Sequence, residues 1–133
     1  MVKLTLDWLG DLRFRSGEGS PPIELHSSTP GVVSPTQSLG YAVMACMAMD
    51  VAHVLQKGRH GLQALSATFE GDRANEPPRR FTAIRLHFIV TGSIPDDVVA
   101  RAIQLSHEKY CSVSNSLRTD IDFRTSFEVK AGA

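Results

Sequence analysis

The chain has 133 residues, 42% of them hydrophobic and 21% charged, and its 14 basic and 14 acidic side chains cancel to a formal net charge of zero. That suits a single domain spanning residues 1–133 and is too apolar for a disordered chain. Charge balance also leaves no global attraction for nucleic acid or an anionic membrane, and the short basic pair Arg79-Arg80, after Pro77-Pro78, reads as a solvated turn.

The first segment reads as strands. Val2, Leu4, Leu6 and Trp8 alternate with Lys3, Thr5, Asp7 and Leu9, the period of a half-buried strand. Leu12 and Phe14 suggest a second strand, and Ile23 and Leu25 a third, separated by the turn cluster from Ser16 to Pro22. No apolar block with a cleavage site follows Met1-Val2-Lys3, so the expectation is a cytoplasmic protein.

Ser34-Pro35-Thr36-Gln37 is the clearest helix start. Ser34 is placed to cap, Pro35 suits the first helical position, and Gln37 lies three residues after the cap. The helix is expected to run to about Lys57, with Gly58 as a left-handed terminator. From Leu39 to Met49 it is apolar all round, in a run shorter than the roughly 20 residues that span a bilayer. Helices of this kind are buried on all sides. One sheet in so small a chain covers one face, so a second subunit is expected to cover the rest.

Two long strands follow, with Leu65, Ala67 and Phe69 in the first and Ile84, Leu86, Phe88 and Val90 in the second. The polar segment from Gly71 to Arg80 joins them. Ser93-Ile94-Pro95-Asp96 opens a second helix with Val98, Ala102 and Leu105 at helical spacing, ending near Tyr110-Cys111. A short turn from Ser112 to Leu117 and a last strand from Ile121 to Val129 complete an α+β order with mostly antiparallel pairing.

The chemistry-bearing candidates are Cys46 and Cys111. Two cysteines in a small cytoplasmic protein are rarely a structural disulfide. Cys46, inside the apolar helix, taken alone reads first as a small core residue. Cys111 sits at a helix end between polar neighbours, and free amides of a turn starting at Ser112 would lower its thiol pKa. Asp50 and His53, one turn apart, lack a third ligand at suitable spacing, so no metal is expected. No phosphate loop, dinucleotide fingerprint or nucleophile elbow occurs.

Three segments carry a resemblance. Ser34-Pro35 with Leu39 to Val51, around Cys46, is similar to the central-helix signature of the OsmC/Ohr family of organic hydroperoxide reductases. Phe81-Thr82-Ala83-Ile84-Arg85-Leu86-His87-Phe88 resembles that family's long strand. Ala102 to Ser114 resembles its second cysteine motif.

The resemblance implies an OsmC-like fold of curved, mostly antiparallel sheets around a long buried helix, in an intertwined homodimer. It implies a thiol peroxidase without a cofactor: Cys46 attacks an organic hydroperoxide, Cys111 resolves the sulfenic acid as a disulfide, and an external thiol resets the pair. Leu39, Val43, Met44 and Met47 are the expected contacts for an apolar tail. The family uses an arginine from the N-terminal part, held by a glutamate near the central-helix start. Arg13 and Arg15 share one strand face and are both candidates, with Arg15 favoured. At the glutamate's place stands Thr36-Gln37; Gln37 offers an acceptor without charge, and Glu108 is another stand-in. His107-Glu108 lies one turn before Cys111, as a tuning pair or as a polar helix face. That departure keeps a second function open, a non-enzymatic, redox-sensitive dimer binding a small hydrophobic or electrophilic molecule.

Overall fold

In the computed structural model, which describes residues 1–27 and 29–132, the chain divides into two compact units, Met1–Leu39 and Gly40–Ala133. In the first unit, β1 (Leu6–Gly10), β2 (Arg13–Ser16) and β3 (Glu24–His26) form an antiparallel sheet in chain order. The strand expected from Val2 begins only at Leu6. Its alternation does not translate into burial: Leu6 is 49% and Trp8 67% exposed. Three short strands make one layer, and a lone layer has nothing of its own to cover an apolar face.

The long helix α1 spans Pro35–Lys57, as the sequence predicts. Its start is a reciprocal capping box. The Ser34 amide donates to Gln37 Oε1 at 3.0 Å, and the Gln37 amide donates to Ser34 Oγ at 3.2 Å. Its end differs from expectation. The His60 amide bonds the Leu55 carbonyl and the Arg59 amide bonds the Gln56 carbonyl, the paired bonds of a Schellman motif. The left-handed residue is therefore Arg59, at φ 57°, and not Gly58. Gly58 serves close approach instead, since a Cβ there would lie 2.6 Å from the His60 ring.

By length and composition α1 is long and apolar enough to cross a membrane, although the run from Leu39 to Met49 alone is not. Gly40, Val43, Met47, Val51 and Leu55 form a buried stripe, which makes it the core helix of the second unit. Burial all round, expected from the sequence, is not reached within one chain: Tyr41 and Met49 remain exposed.

The second unit pairs β4 (Ala64–Arg73) antiparallel with β5 (Phe81–Thr91), and β5 parallel with β6 (Asp122–Lys130). The parallel pair follows from the crossover through α2 (Asp96–Leu105), because no tight turn can join parallel strands. Ile84, Leu86, Phe88 and Val90 face the core, as their alternation predicts. On the opposite face His87 Nδ1 is 2.8 Å from Ser126 Oγ. Helix α1 approaches β4 where Gly40 meets Phe69, and a Cβ on Gly40 would stand 3.1 Å from that ring. The buried stripe of α2 is Val99, Ala102 and Ile103; of the predicted Val98, Ala102 and Leu105, Ala102 is buried and the other two are half-buried. After α2 the chain widens into one π-helical turn, Ser106–Tyr110, then a 3-10 turn at Ser114–Ser116.

Candidate functional site: the Cys46–Cys111 pair

Cys46 is half-buried on α1, and Cys111 is wholly buried just after the π-helical turn. Both are free thiols, and Cys46 lies near enough to Cys111 to raise its thiol. The family resemblance implied this meeting, whereas spacing alone could not give it, because it depends on how the segment after α2 lies against α1.

Burial pushes the Cys111 thiol above its ordinary value, and the hydrogen bonds from Ser114 only partly pull it back. The nearby Cys46 adds to the rise. The sequence predicts the opposite sign for Cys111. The predicted effect exists, because the Ser114 amide donates to Cys111 Sγ at 3.2 Å, but complete burial outweighs it.

The surroundings of Cys111 hold residues that sequence reasoning did not single out. Ser106, fully buried, donates through Oγ to Asp50 Oδ2 at 2.8 Å, and its carbonyl accepts the Cys111 amide at 2.7 Å. Asn115 Nδ2 donates to the carbonyls of His107 and Cys111 at 2.9 and 2.8 Å, satisfying groups that a helix end leaves open. The spacing of Ser114, three residues after Cys111, was the available signal: it is the offset at which a side chain caps a turn. Ser106 and Asp50 gave none, since their bond joins distant segments.

The remaining candidates are placed differently. His107 stacks on Phe123 with ring centroids 4.5 Å apart, and Glu108 is exposed, accepting from Gln104 Nε2 at 3.1 Å. Neither contributes to the shift at Cys111, which comes from burial, Ser114 and Cys46. In the first unit Arg13 Nη2 is 3.0 Å from Glu24 Oε1, while the exposed Arg15 has no ion-pair partner among the described residues. The Gln37 carboxamide oxygen is taken by the capping box. Val43 and Met47, expected to meet a substrate tail, are core residues with no accessible surface, which leaves Leu39 and Met44 half-exposed. Asp50 and His53 line a cavity of about 690 Å³ with Val54, Lys57, Gly58 and Tyr110. Among the described residues no three His, Cys, Asp or Glu side chains cluster as metal ligands would.

Residues 28–126, which include both cysteines, match the OsmC-like protein family. The chain belongs to that family. A relative, Protein YhfA of Escherichia coli K12, is 39% identical, over 98% of this chain and 99% of its own length. Among solved structures, a hypothetical protein from Aquifex aeolicus VF5 superposes with a TM-score of 0.90 at 24% identity, covering 98% of this chain and 97% of that one. An organic hydroperoxide resistance protein OsmC from Legionella pneumophila does so with a TM-score of 0.73 at 21% identity, covering 96% and 98%. At these identities the likeness to both structures is one of OsmC-like fold.

Proposed function

We propose that this OsmC-like protein is a thiol peroxidase acting on organic hydroperoxides. The observation that carries the reading is the proximity of two free thiols that lie far apart in the chain, near enough for Cys46 to raise the Cys111 thiol. A thiolate at Cys46 attacks the peroxide: an S–O bond forms, the O–O bond breaks, and the alkoxide takes a proton and leaves as an alcohol. Sulfur gives up two electrons and becomes a sulfenic acid. The Cys111 sulfur then attacks it, expelling water and closing a disulfide. Two equivalents of an external thiol restore both cysteines by exchange. The raised Cys111 thiol suits the resolving role, because burial disfavours the thiolate that would otherwise compete for the peroxide.

We assign the activating cation to Arg15, since Arg13 is already held by Glu24. The working form is a homodimer. Tyr41 and Met49 on α1, at 60% and 70% exposure, are the apolar surface that a second copy would cover. A reducing compartment such as the cytoplasm fits two free thiols.

One observation favours a second reading. The Gln37 carboxamide oxygen, nearest in sequence to the place of the family's acid, caps α1. An unsupported arginine suits a non-enzymatic, redox-sensitive dimeric module that binds a small hydrophobic or electrophilic molecule. Stopped-flow oxidation with cumene hydroperoxide separates the two. The peroxidase predicts thiol loss faster than that of free cysteine, abolished by Cys46→Ser and slowed more by Arg15→Ala than by Arg13→Ala. Thiol loss no faster than that of free cysteine would leave the binding module.

A further inference from the structure

We propose that Ser106 and Asp50 are positioning residues that hold Cys111 against Cys46; the inference rests on reading the two cysteines as a redox pair. Asp50 lies four residues after Cys46, so both project from one side of α1. Ser106 opens the π-helical turn that Cys111 follows directly. Its hydroxyl donates to Asp50 Oδ2 at 2.8 Å, and its carbonyl accepts the Cys111 amide at 2.7 Å. One buried residue thus grips both segments. Two hydrogen bonds link the segments, Asp50 to Ser106 across the packing and Ser106 to the Cys111 amide along the π turn, and Cys46 and Asp50 are one turn apart on α1, so the arrangement sets Cys111 near Cys46.

Two features separate this arrangement from ordinary packing. A hydrogen bond to a carboxylate is short and directional, and here it joins a side chain with no accessible surface to one only half-buried. The π turn is an uncommon geometry that marks functional positions inside helices, and it begins at the residue making that bond. Were the turn to relax to α-helical pitch, Cys111 would present a different face to α1. The Ser106–Asp50 bond opposes that relaxation from one end, while Asn115 holds the carbonyls at the other.

The role predicts a defect in the second chemical step and not in the first. Sulfenic acid at Cys46 forms at the normal rate, but closure to the disulfide slows because the resolving sulfur is no longer held in line. The experiment uses the full-length protein, equimolar cumene hydroperoxide, dimedone to trap sulfenic acid, and intact mass with time. S106A and D50A are expected to slow closure roughly tenfold or more and to accumulate the dimedone adduct, whereas S106T and D50N, which keep a donor and an acceptor, stay within about threefold of wild type. A fold defect alone would not sort variants by hydrogen-bonding capacity. Because Asp50 is only half-buried, D50A carries the test should S106A fail to fold.

Closure at the wild-type rate in both S106A and D50A would overturn the positioning role. So would a defect in D50N equal to that in D50A, which would assign the effect to charge. If wild type forms neither adduct nor disulfide, it is the peroxidase reading that falls.

Discussion

The two units of this chain use similar strand patterning to different ends. In Gly40–Ala133 the alternation of β5 becomes a buried face, and every buried apolar side chain among the described residues lies between Val43 and Cys111. In Met1–Leu39 comparable alternation leaves Leu4, Leu6 and Trp8 open to solvent. The difference lies in the second layer. The buried stripe of α1 and the whole of α2 belong to the unit that has a core, whereas the N-terminal unit holds only the first residues of α1, from Pro35 to Leu39. Period-two patterning therefore says which residues want cover, and says nothing about whether the same chain supplies it.

The sharpest way to break this contrast is Phe88→Ala. Phe88 is fully buried, so the change should cost about 3–5 kcal/mol in urea unfolding. A loss under about 1 kcal/mol would mean that the core does not rest on β5. Next in size is Trp8→Asp in the other unit. If a partner subunit covers this surface, the substitution should weaken dimerisation by about 2 kcal/mol or more, seen by sedimentation at graded concentrations. An unchanged dimer would place the interface elsewhere. Ser34→Ala removes one half of the capping box and should cost about 1 kcal/mol of thermal stability. The smallest expected effect is on the alkaline limb of stability. Cys111 has its pKa raised in the folded state, so its contribution is complete below the ordinary thiol range and is lost as pH rises through the folded value. Cys111→Ala should flatten that limb, as read by chemical denaturation between neutral and alkaline pH.

Much of the fold was legible because it rests on local rules. The Ser34–Gln37 cap, the extent of α1 and the core face of β5 follow from spacing alone. What was not legible depends on contacts distant in the chain. The parallel partner of β5, the exposure of Trp8 and the burial of Cys111 are set by what packs where. The end of α1 is instructive: a glycine in the right place invited a left-handed assignment, yet that conformation falls one residue later, on Arg59, while Gly58 leaves room for the His60 ring. At the candidate site both cysteines stood out, while the Ser106–Asp50 bond had no local signature.

The pairing of the two sulfurs is tested most directly by intact mass and peptide mapping of the reduced protein after equimolar cumene hydroperoxide. The account predicts a loss of about two mass units within one chain, mapped to a bridge between the peptides holding Cys46 and Cys111. A stable sulfenic acid or overoxidised Cys46 with Cys111 still free, or a bridge formed only between chains, would contradict it.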